Sequence, residues 1–136
     1  MNESVSATGQ GVVVAGPRRW LGLEGLVLLA GALIAYGILG QPWWLVPAGI
    51  LLPDLAMGGF AAGTRAGAQL YNIAHTTVLP AALLGISYGL DDRLVMALAL
   101  IWLAHIGMDR VLGFGLKYGD RFARTHLGDH PDAGRR

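Results

Sequence analysis

Glu24, Asp54, Asn72, His75, His105 and Asp109 interrupt stretches of chain that are otherwise almost wholly apolar. Imidazole and carboxylate groups placed among hydrocarbon side chains can hold a divalent metal, move a proton or do both. Cysteine is absent, so thiolate metal sites, cysteine nucleophiles and disulfides are excluded. The nitrogen and oxygen donors that remain match the ligand sets of zinc, iron or manganese. A metal held by His75, His105 and one or two of Asp54 and Asp109, with Asp109 the first choice, would leave a position for water and activate it or polarise a carbonyl or phosphoryl group. Glu24 is then the nearest general base, with Asn72 and Tyr71 as supporting donors and Asp54 as a further catalytic carboxylate. Asn72 and His75 are separated by three residues and His105 and Asp109 by four, spacings that place each pair on one helix face.

The elements that would position these groups are membrane helices. Hydrophobic residues make up 54% of the 136-residue chain and charged residues 14%, and mean hydropathy is +0.50, where a soluble domain carries about 25% charge. Apolar runs cover about residues 20–39, 43–62, 67–88 and 93–113, each near the ~20 helical residues that cross a bilayer. Gly40-Gln41-Pro42, Gly63-Thr64-Arg65 and Gly89-Leu90-Asp91-Asp92 separate them with turn-forming residues. The expected fold is all-α, an integral membrane four-helix bundle of antiparallel up-down topology. Residues 18–118 would form the transmembrane domain, 1–17 a flexible tail and 119–136 a basic cytoplasmic tail. Pro53 removes a helix donor and is expected to bend the second helix. The 21 glycines suit helices packed closely in lipid.

Lys and Arg orient the bundle. With the N-terminus inside, Arg18, Arg19, Arg65, Arg110, Lys117, Arg121, Arg124, Arg135 and Arg136 lie on the cytoplasmic side and Arg93 alone outside. On that topology Asp54, His75 and His105 reach a common depth of roughly 12 Å on three helices, with Glu24, Asn72 and Asp109 in a layer roughly 6–8 Å deep. The opposite half of the membrane carries no charged residue. Ionisable groups in a span cost about 2.5–3.5 kcal/mol each on insertion scales, which marks them as functional candidates. Buried His, Asp and Asn also hold bundles together by interhelical hydrogen bonds, so a purely structural role stands beside the functional one.

After the fourth run, aromatic residues alternate with basic ones from Gly113 to Gly128. Such a segment either lies along the headgroups as a basic anchor or folds beneath the site, bringing Lys117, Arg121 or His126 to an anionic head group. Few basic residues and no basic face exclude nucleic acid as a partner.

Several strings carry a family resemblance: Pro53-Asp54-Leu55-Ala56-Met57, Tyr71-Asn72-Ile73-Ala74-His75, Trp102 to Arg110, and Thr125-His126-Leu127-Gly128. They resemble the bacterial membrane protein family filed as domain of unknown function 4260, over about residues 19–128. Phe60 and Phe114 stand where tyrosine is expected. The resemblance implies a four-helix protein of the bacterial inner (cytoplasmic) membrane and supplies no activity.

The expected function is a membrane-embedded enzyme, metal-dependent, acting on a lipid or small lipophilic substrate delivered by the bilayer. A proton-coupled transporter centred on Glu24, a haem protein with His75 and His105 as axial ligands, and a non-catalytic membrane scaffold are the alternatives. A bundle this small has little room to enclose a site, which makes a homodimer a further expectation.

Overall fold

The computed structural model describes residues 15–117 and the backbone of residues 124–125 and 128–129. The expectations for the N-terminal tail before Ala15, for Arg121 and His126, and for the basic C-terminal tail therefore fall outside the described residues, apart from those two backbone pairs. Helix α1 spans Ala15–Leu39, α2 Leu45–Gly49, a 3₁₀ segment Leu52–Ala62, α3 Thr64–His75, α4 Val78–Gly89 and α5 Arg93–Leu112. Arg124–Thr125 (β1) and Gly128–Asp129 (β2) form a short antiparallel pair. Four stretches are long and apolar enough to cross a membrane: Gly16–Leu39, Leu45–Ala62, Thr64–Gly89 and Arg93–Leu112. The four-helix architecture expected from the apolar runs is therefore present, but its second and third spans are broken.

Both breaks follow from proline. Pro53 has no N–H for the carbonyl of Gly49, and its ring would clash with that carbonyl in a continuous helix. The chain answers by tightening: the Asp54 N–H donates to the Leu51 carbonyl at 3.1 Å, and eleven residues run on as 3₁₀ helix, where three or four is usual. At about 2.0 Å per residue those eleven cover about 22 Å, so with α2 the broken span still matches the membrane. Three residues per turn sorts its sides as far as Ala61. Leu52, Leu55, Gly58 and Ala61 are all exposed, whereas Pro53, Asp54, Ala56, Met57, Gly59 and Phe60 are partly buried. The third span breaks at Thr76, which is extended at φ −82° and ψ 143°, because Pro80 would otherwise clash with the Thr76 carbonyl.

Helix α5 is the axis of the molecule. Its Ala97, Ala99, Leu100, Ile101, Leu103, Ala104, His105 and Ile106 are buried, against Ala32 and Tyr36 of α1 and partly buried Leu84 of α4. Side chains on the outside of the other helices, such as Val27, Ile38, Leu55 and Val78, are largely exposed and apolar, the pattern of surfaces solvated by lipid. Glycine sets the closest approach: a Cβ on Gly107 would lie 2.7 Å from the Gly25 carbonyl and 2.6 Å from the Leu29 N. The 3₁₀ segment packs on α3 in the same way, with Gly59 against Leu70 and Gly67 against Phe60. Gly63 makes the single-residue turn between them at φ +118°, a conformation that L side chains rarely adopt.

Candidate metal centre

Three elements deliver four donors to one point. Asp54 sits in the first turn of the 3₁₀ segment, directly after the proline that created it. His75 is the last residue of α3 before the Thr76 break. His105 and Asp109 lie one turn apart on α5, and the Asp109 side chain leans toward the helix N-terminus, back over His105. One ligand atom from each of these residues lies within 4.8 Å of all the others. His75 Nε2 is 3.1 Å from His105 Nε2, 3.3 Å from Asp54 Oδ1 and 3.5 Å from Asp109 Oδ2. His105 Nε2 is 3.4 Å from Asp54 Oδ1 and 3.5 Å from Asp109 Oδ2.

These lengths fit a cation. A tetrahedron of nitrogen and oxygen ligands with bonds of 2.0–2.1 Å has edges of about 3.3–3.4 Å. Hydrogen bonding reinforces the match. His75 Nδ1–H donates to the Tyr71 carbonyl at 2.8 Å, and because a carbonyl only accepts, the neutral ring keeps its Nε2 lone pair for the centre. His105 is fully buried and its Nδ1 has no hydrogen-bond partner. Ile50 is the backbone group that acts on this ring, and its carbonyl is not taken by the Asp54 N–H, which bonds to Leu51. Two imidazoles and two carboxylates turned on each other leave lone pairs converging with too few protons between them, an arrangement that a divalent ion relieves. Haem fits poorly: axial nitrogens stand on opposite sides of an iron, about 4 Å apart at such bond lengths, and here they are neighbours flanked by carboxylates.

Burial separates the four donors. The side chains of His75 and His105 are 4% and 0% exposed, that of Asp109 14%, and that of Asp54 38%. Asp54 is thus the donor that solvent or a ligand meets first. Tyr71 stacks on His75 with ring centroids 3.7 Å apart and fixes the imidazole plane.

The remaining expected site residues lie elsewhere. Asn72 faces the tail: its Nδ2 donates to the Lys117 carbonyl at 2.8 Å and its Oδ1 accepts from the Lys117 N–H at 2.6 Å. Its side chain leans toward the start of α3, away from His75. Glu24 is exposed on α1, outside the four-donor group, with its charge acting on Arg110. Lys117, named in the sequence only as one of three tail residues, is held over the site. Gly113 ends α5 in the left-handed region at φ +85°, the Phe114 N–H returns to the Asp109 carbonyl at 2.8 Å, and the chain folds back along α3. Lys117 Nζ lies 4.9 Å from the Tyr71 ring centroid and 5.8 Å from that of Phe60. Burial pushes this ammonium below its ordinary pKa, opposed by the charges of Asp109 and Asp54.

Asn72→Ala removes both tail hydrogen bonds and should cost this segment about 1–3 kcal/mol. Faster amide exchange at Lys117 with unchanged metal content is the expected result. Metal loss with the tail unmoved would return Asn72 to the centre itself.

Searches of curated proteins and of solved structures find no match. Residues 18–129 match the family model described as Domain of unknown function (DUF4260). With all four donors and Lys117 inside that match, the chain belongs to the DUF4260 family.

Proposed function

We propose that Asp54, His75, His105 and Asp109 form a divalent-metal centre, with zinc preferred, of a membrane-embedded hydrolase. The observation that carries this reading is the set of five donor–donor distances between 3.1 and 3.5 Å. Four nitrogen and oxygen donors without sulfur favour zinc over manganese, which prefers six oxygen ligands. A bound ion would supply a Lewis acid and lower the pKa of a coordinated water.

The chain's own residues divide the remaining work. His75, His105 and Asp109, the three more buried donors, hold the centre. Asp54 is the most exposed of the four and sits on an unusually tight helix. With a metal bound, it would be the donor best placed to give way to water and to accept the proton as general base. Tyr71 and the α3 backbone lock the His75 ring, and Lys117 brings positive charge to the open side. Glu24 serves as a counter-charge to Arg110 at the same end of the bundle. The distribution of Lys and Arg supports a cytoplasmic position for that end.

Thermal unfolding in mild detergent tests the proposal. A chelator should lower the melting temperature, and zinc should restore it, adding about 2.7 kcal/mol when free zinc is about 100 times Kd. Because histidine binds only as the neutral ring, zinc affinity should fall as the medium is made more acidic. Melting that ignores both chelator and zinc would contradict the centre.

A further inference from the structure

Residues next to the donors in the chain line a cleft. Pro53, Ala56, Ala74, Leu98, Ile101 and Trp102 line an almost wholly apolar opening that encloses ≈ 710 Å³ of space between atoms, its mouth included. Pro53 and Ala74 immediately precede the donors Asp54 and His75, and Ile101 and Trp102 lie one turn before His105. The Trp102 Nε1–H donates to the Ala74 carbonyl at 2.6 Å, which ties the indole to the residue before His75.

The other side of the cluster is cationic. Moving along α5 past His105 and Asp109, the chain presents Arg110, then Lys117 folded back over Tyr71. The Arg18 guanidinium lies against Gly113 at the same end. Asp109 acts on Arg110 and Lys117, and Asp54 on Lys117, and a divalent ion would neutralise both carboxylates. The order along α5 is therefore apolar cleft, donors, cations. A membrane lipid has the same order: chain, ester linkage, charged head group.

Resting on the metal-centre reading, we propose that the site takes an anionic, phosphate-bearing lipid, with one acyl chain in the cleft beside Trp102, the linkage at the four donors and the head group at Lys117 and Arg110. Chain length is unrestricted at the cleft mouth, because the mouth opens among lipid-facing residues such as Leu52 and Leu98. Selectivity comes from the cationic end, where a phosphate finds charge that a neutral lipid cannot use.

Native mass spectrometry of the full chain released from neutral-detergent micelles tests this, with dioleoyl phosphatidic acid, dioleoyl phosphatidylcholine and inorganic phosphate as probes. Phosphatidic acid should bind one per chain, about tenfold or more tighter than phosphatidylcholine. Ala56→Trp, which fills the cleft, should weaken it about tenfold without changing metal content, and Leu98→Trp serves as an independent second filling variant. Lys117→Gln should erase the preference over phosphatidylcholine. Equal binding of the two lipids, undiminished binding in both filling variants, or inorganic phosphate binding as tightly as phosphatidic acid would each overturn the proposal. Selective, cleft-dependent lipid binding by a protein without metal would support the lipid site and overturn the metal centre alone.

Discussion

His105→Ala is expected to strip the protein of its metal. The ring is fully buried, makes three of the five short approaches that define the centre, and its Nδ1 has no hydrogen-bond partner. Alanine leaves three donors and a void, and nothing else among the described residues is placed to replace the lost nitrogen. Loss of even an outer supporting residue typically costs 10–100-fold in metal affinity, so loss of a ligand should cost about 100-fold or more. After gel filtration the variant should hold less than about a tenth of the wild-type metal, and its melting temperature should no longer respond to chelator. Asp54→Asn should behave differently. Its donor is the most exposed, so metal should be retained with weaker affinity. A His105→Ala protein that keeps wild-type metal content would remove His105 from the coordination sphere.

Gly107→Val is the second large effect, and it acts through the backbone. The new Cβ would press on the Leu29 N and the Gly25 carbonyl, and neither can step aside as a side-chain tip does. Helices α1 and α5 must separate along their whole contact. Overpacking costs about 1–3 kcal/mol where side chains can shift, and a rigid backbone should put this variant at or beyond about 3 kcal/mol. Gly107 lies between His105 and Asp109 on α5, so metal should be lost together with stability. Gly31→Ala is the control, since an added Cβ there meets nothing within 4 Å. Its melting temperature should match or exceed that of wild type. A Gly107→Val protein as stable as wild type would mean that α1 and α5 are not in such close contact.

How far these features could be read from residues alone differs from one to the next. Depth is legible by counting: Asp54, His75 and His105 fall about eight residues from the same face of the membrane, and the structure brings them together. Asp109 joins them although counting sets it a layer away, because a helical side chain leans toward its own N-terminus and closes the gap to His105. The same rule carries Asn72 away from His75, so a spacing of three puts two residues on one face without making them partners.

Azimuth is harder to read. Glu24 has the right depth, but its neighbour Gly25 is the residue pressed against α5, and the glutamate is turned outward. Pro53 signals the break that sets Asp54. Pro80 carries an equal signal for Thr76, hidden because the apolar run from Gly67 to Tyr88 reads as one uninterrupted helix. The length of the 3₁₀ segment has no local signature of this kind. It depends on Gly59 and Gly67 letting it pack on α3, a tertiary contact that no periodicity encodes.

X-ray absorption at the metal edge, on wild-type protein purified from membranes in mild detergent, tests the metal centre most directly. The predicted result is about one metal ion per chain in a shell of nitrogen and oxygen only, with bonds of about 2.0–2.1 Å and the scattering signature of two imidazoles. A folded protein that carries no metal, or a metal whose shell contains no imidazole, would contradict it.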